Sequence, residues 1–106
     1  MKVDTQTLLP ELKARLRATY GERLRGVYLY GSYARSEAGD ESDVDVLIVL
    51  DRLPDYGTEI DRTSYLMASL SLEYGATVSC VFSSEQDWSS LETPFLDNVR
   101  EEAVPV

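Results

Sequence analysis

Five consecutive apolar residues, Val46-Leu47-Ile48-Val49-Leu50, constrain the fold of this chain more than any other feature. A strand with one wet face alternates apolar and polar residues. An unbroken short apolar run, opened by Asp43-Val44-Asp45 and closed by Asp51 to Gly57 with Pro54, is a strand covered on both faces. The residues 43–50 are therefore expected at the centre of a sheet with helices packed on it. Leu24 to Tyr30 and Ala76 to Phe82 read as two further strands.

Helical spacing marks the segments between. Leu9, Leu12, Leu16 and Tyr20 share one face of a first helix, with Thr7 as its expected N-cap and Pro10 in its first turn. Ile60, Met67, Leu70 and Tyr74 share one face of a second, running from Thr58 to Tyr74 and closed by Gly75. Ser32 to Glu37 reads as a short helix. Ser83 and Ser84 precede an acidic helix containing Trp88, and Pro94 to Ala103 reads as a last helix edged by Phe95, Leu96 and Val99. The expectation is one α/β (α+β) domain over residues 1–106, a small mixed sheet with helices on it.

Composition narrows the chemistry. The chain has 106 residues, a formal charge of -9 and no histidine, and Cys80 is its sole cysteine. Histidine-based triads, histidine metal sites and internal disulfides are excluded, which leaves carboxylates, hydroxyls, Lys/Arg and oxygen-seeking metals. The acidic balance disfavours direct nucleic-acid binding and suits a basic protein partner. With no apolar stretch long enough for a membrane and no signal-peptide pattern at the N-terminus, a cytoplasmic location is expected.

The segment Gly31 to Asp45 carries the chemistry. Residues i and i+2 of a strand face the same way, about 7 Å apart at Cα, so Asp43 and Asp45 aim two carboxylates at one point. Like charges that close call for a cation, and Mg²⁺ or Mn²⁺ suits an oxygen pair completed by phosphate oxygens. A pair of such ions about 3.5–4 Å apart stabilises both the attacked phosphorus and a leaving pyrophosphate. Gly31 lets a backbone approach a phosphate closely, and Ser32 and the N–H groups that follow supply donors. Arg35 has two roles open to it, a phosphate contact or a brace for the Gly39 to Ser42 loop.

Gly31-Ser32-x-Ala34-Arg35 followed by Ser42-Asp43-x-Asp45-Val46-Leu47 resembles the signature of the DNA polymerase β-type nucleotidyltransferase superfamily, and within it the minimal nucleotidyltransferase (MNT-domain) antitoxins of HEPN/MNT pairs. The resemblance implies the polymerase β-type nucleotidyltransferase fold and transfer of a nucleoside monophosphate, AMP from ATP, to a hydroxyl. It implies Asp43 and Asp45 as catalytic metal ligands, and Gly31, Ser32, Arg35 and Ser42 as nucleotide-binding residues. It also implies a hetero-oligomeric partner, a basic helical HEPN-type toxin, whose tyrosine is the acceptor.

Two positions depart from the pattern. Ser36 stands where the motif usually has glycine, which a helical position tolerates. Ser79 stands where a third carboxylate is expected on a later strand, with Glu85 or a partner's side chain as candidate replacements. Three functions stay open: a protein-modifying nucleotidyltransferase, a catalytically weak antitoxin acting as a binding module, and a small-molecule transferase of the aminoglycoside type. A glycosyltransferase Asp-x-Asp site fits poorly, since that fold needs a much larger sugar-nucleotide domain.

Overall fold

The computed structural model describes residues 3–39 and 43–106. Helix α1 (Thr5–Tyr20) leads through a 3-10 turn (Gly21–Arg23) into β1 (Leu24–Tyr30). The chain continues as β2 (Val44–Leu50), α2 (Tyr56–Tyr74), β3 (Val78–Ser84), α3 (Glu85–Ser90), α4 (Pro94–Glu102) and β4 (Val104–Pro105). The four strands form one mixed sheet in the order β3-β2-β1-β4. Strand β2 runs antiparallel to β1 and parallel to β3, and β4 adds antiparallel to β1.

The central position expected for the apolar run is observed, and the alternation of side chains explains it. Val44, Val46, Ile48 and Leu50 pack into a core with Leu8, Leu12, Leu16 and Tyr20 of α1 and Leu66, Met67 and Leu70 of α2. Leu47 and Val49 point the other way, into a second cluster with Leu96 and Val99 of α4. Trp88 of α3 closes that cluster, its ring 4.9 Å from Tyr28. Arg100 clamps the end of α3 by donating to the carbonyls of Trp88 (2.8 Å), Asp87 (3.0 Å) and Leu91.

Several boundaries differ from expectation for local reasons. Helix α1 begins earlier, with Asp4 at the N-cap, and the Thr7 hydroxyl donates to Asp4 Oδ2 at 2.7 Å instead of capping. Pro10 consequently lies inside the helix, past the first turn. The buried stripe Leu8, Leu12, Leu16 and Tyr20 holds α1 together despite the missing donor. In α2 the buried face includes Glu59, whose Oε1 accepts from the Tyr20 hydroxyl at 2.7 Å and Arg62 Nε at 3.0 Å. Strand β4 lies beyond the last helix, where no strand was expected. Among the described residues no helix is long and apolar enough to cross a membrane.

Two-sided burial of β2 has a direct test. Leu47→Ala and Ile48→Ala, one per face, are each expected to cost about 2–4 kcal/mol in urea unfolding. A cost under about 1 kcal/mol for either contradicts burial of that face.

Candidate functional site

Asp45 sits where the parity of β2 requires. It shares the Leu47/Val49 side of the sheet and is half-buried at the start of the strand. Asp43 stands two residues before it, exposed. Across the sheet Asp45 pairs with Tyr30 on β1 and with Ser79 on β3. Partial burial and the nearby charge of Asp43 hold the Asp45 carboxyl above the usual aspartate range, with Glu102 adding and Arg35 opposing. Burial, then the charge of Asp45, pushes the Tyr30 hydroxyl up to about 12. The ring of Phe95, itself 47 % exposed, meets Tyr30 edge-on at 5.8 Å.

The turn after β1 closes over this pair. Gly31 adopts φ +80°, and a Cβ there would lie 2.6 Å from Asp45 Oδ2, so only glycine fits on both counts. The expected helix from Ser32 to Glu37 is instead a single turn. Arg35 N–H donates to the Gly31 carbonyl at 3.1 Å, Glu37 N–H to the Ser32 carbonyl at 2.8 Å, and Ser36 N–H to the Tyr33 carbonyl at 3.4 Å. The last two bonds form a Schellman closure, which needs a left-handed residue between them. Ser36 supplies it at φ +60°. The glycine of the family motif thus has a backbone reason, and Ser36 is a strained position, not a tolerant helical one. One turn is too short for a helix dipole, so the anion-binding capacity rests on the N–H groups themselves. Those of Ser32, Tyr33 and Ala34 have no acceptor among the described residues. Tyr33 is turned away from the site: its ring packs on the main core and its hydroxyl accepts from Val3 N–H at 3.4 Å.

Arg35 engages two carboxylates, Glu37 and Glu102, and the loop expected as its other partner lies, apart from Gly39, outside the described residues. Its Nη1 donates to Glu102 Oε2 at 2.6 Å and its Nε to Glu37 Oε2 at 3.1 Å. The other oxygen of Glu102 accepts from Gly31 N–H at 3.2 Å. Those bonds hold the Glu102 carboxyl below its usual range, the Arg35 bond most. Glu102 has no local signature: it is the last residue of α4, far from the motif in sequence. Ser42 lies outside the described residues.

Two carboxylates of hard oxygen character, crowding each other at the mouth of a donor-rich turn, fit a divalent cation completed by phosphate oxygens. Among the described residues no group of three acidic or metal-ligating side chains converges. Ser79 stands beside Asp45 in the parallel register, at the position expected for a third carboxylate. Glu85 does not replace it. It follows the last residue of β3, at the far end of that strand from Ser79, about 20 Å along the chain.

A family model for the nucleotidyltransferase domain matches residues 9–94. The chain belongs to this nucleotidyltransferase family. A Methanocaldococcus jannaschii relative with the provisional name protein adenylyltransferase MJ0604 is 33 % identical over 101 residues, covering 94 % of this chain and 95 % of that one. Protein adenylyltransferase MntA of Thermococcus cleftensis is 38 % identical over 69 residues, 65 % of this chain and 68 % of that one. Among solved structures, a minimal nucleotidyltransferase at 28 % identity superposes with a TM-score of 0.62 over 97 % of this chain and 96 % of that one. A toxin-antitoxin crystallised with AMP-PNP, at 19 % identity, shares the fold with a TM-score of 0.64 over 90 % of this chain and 69 % of that one. The nucleotidyltransferase thus has the polymerase β-type fold that its motif implies.

Two outcomes follow from the geometry of this nucleotidyltransferase. Ser36→Gly relieves the left-handed serine and is expected to raise stability by about 1 kcal/mol, allowing for the freer unfolded chain, read as a higher thermal midpoint. Asp45 holds its proton more tightly folded than unfolded, so its ionisation costs stability as pH rises through and above the ordinary aspartate range. Asp45→Asn is therefore expected to raise the melting temperature of the metal-free protein at neutral pH. The gain disappears below about pH 3, where the wild-type carboxyl is protonated in both states.

Proposed function

We propose that this nucleotidyltransferase moves AMP from ATP to a hydroxyl of a protein partner, and that it is the antitoxin of a HEPN-type toxin. The observation that carries the proposal is the Asp45 carboxylate, close enough to feel the charge of Asp43, set against the Gly31 turn, whose Ser32, Tyr33 and Ala34 N–H groups have no acceptor among the described residues. Support also comes from the names of its relatives, protein adenylyltransferases, and from the toxin-antitoxin complexes that share its fold. The charge of -9 complements a basic partner.

In this reading Asp43 and Asp45 would hold Mg²⁺ or Mn²⁺, which would supply charge neutralisation for the triphosphate. Gly31 gives the phosphates room, while Ser32, the N–H groups after it and Ser42 bind them. An acceptor hydroxyl oxygen attacks the α-phosphorus, the bond to the bridging oxygen breaks, and pyrophosphate departs. Ser79 is no base, so the hydroxyl proton passes to water. The acceptor is a tyrosine of the toxin, in a hetero-oligomer that brings it to the mouth of the site.

A second reading is favoured by Ser79: without a third carboxylate the protein neutralises its partner by contact alone. One incubation separates the two. The protein is mixed with the product of the adjacent gene, labelled ATP and Mg²⁺, alongside Asp43→Ala/Asp45→Ala. The proposal expects label on the partner that the double variant loses by at least about 100-fold. No label, with an equally stable complex formed by wild type and variant, leaves the binding module. A small aminoglycoside-type acceptor labelled in place of the partner would instead support the small-molecule transferase.

A further inference from the structure

One side chain that holds the turn after Gly31 comes from outside the motif. Glu102 ends α4, and a carboxylate at the negative end of a helix is locally unfavourable. Its side chain is nonetheless 21 % exposed and fully engaged, one oxygen on Gly31 N–H at 3.2 Å and the other on Arg35 Nη1 at 2.6 Å. Its own position is fixed from two sides. Val99 and Leu96 anchor α4 in the second core, and Val104, two residues on, pairs with Leu29 of β1. Glu102 is thereby tied to the same strand that delivers Gly31.

Gly31 has no slack to lose. Its φ of +80° and the 2.6 Å between a would-be Cβ and Asp45 Oδ2 set the turn directly against the candidate metal ligand. A hinge of this kind, left unpinned, would rotate the N–H groups of Ser32 to Ala34 relative to Asp45. Arg35 is equally occupied, since Glu37 and Glu102 both bond it. It neutralises a carboxylate close enough to be felt at Asp45.

We propose that Glu102 is a positioning residue for nucleotide transfer: by holding Gly31 N–H and the Arg35 guanidinium, it keeps the Ser32 to Ala34 donors aimed at the phosphates bound beside Asp45. This rests on the nucleotide-binding reading of the site. It adds a contact from the last helix on which the affinity for nucleotide depends.

The test measures AMP-PNP affinity in Mg²⁺ by calorimetry for wild type, Glu102→Gln, Arg35→Gln and the double variant, with thermal midpoints recorded for each. Glu102→Gln keeps the shape and one acceptor, and Arg35→Gln breaks the same pair from the other side should the first variant fold poorly. Each single variant is expected to bind about tenfold more weakly, and the double variant no worse than either, since one pair is lost in all three. Mn²⁺ binding without nucleotide, followed by electron paramagnetic resonance, is expected to stay unchanged in the double variant, where the opposite charges of the pair are lost together. Unaltered affinity in folded variants overturns the proposal and leaves the nucleotide site standing. Tighter binding overturns it too, by showing that Glu102 occupies a phosphate's place. Wild type without measurable AMP-PNP affinity overturns the nucleotide reading itself, and this proposal with it.

Discussion

The alternation of side chains along β2 is the constraint on which the rest depends. Because helices bury both of its faces, no residue from Val46 to Leu50 has freedom to change side. A slip of one residue would place Asp45 in the α1/α2 core and Val46 at the mouth of the site. The free energy of burying that run therefore also fixes the direction of the Asp45 carboxylate. Packing and chemistry share one strand.

The second constraint is proximity. Gly31 and Asp45 approach so closely that no side chain fits between them. The antiparallel register places Tyr30 opposite Asp45, so the chain leaves the sheet at that contact and must turn immediately. A Schellman closure ends the turn after a single revolution, leaving three N–H groups unpaired among the described residues. The same features that cost stability, a left-handed Ser36 and a carboxyl with a raised pKa at Asp45, lie within this short stretch. Strain gathered at one site is what a binding function leads one to expect.

Legibility of the sequence followed the range of the interactions. The bounds of β1, the centrality of β2 and the side of the sheet that Asp45 takes are set by neighbours in sequence, and they can be read there. Ser79 could be placed beside Asp45 because the third strand is as regular as the second. The features with no sequence signal involve contacts that no local pattern encodes. Glu102 reaches Gly31 across most of the chain. Glu59 is buried because Tyr20 and Arg62 meet it, not because of its own character. Strand β4 exists only because β1 offers an open edge. Ser36 differs from its helical expectation for another reason, since a one-turn helix and its closure differ by a single backbone angle.

The central claim is that Asp43, Asp45 and the Ser32 to Ala34 turn form one metal-nucleotide site. A crystal grown with Mn²⁺ and AMP-PNP tests it directly through the anomalous signal of the metal. The account predicts a peak within ligand distance, about 2.0–2.3 Å, of both aspartate carboxylates, with phosphate oxygens on the N–H groups of Ser32 to Ala34. Metal and triphosphate bound elsewhere, or phosphates that avoid that turn while the aspartates stay empty, would contradict it.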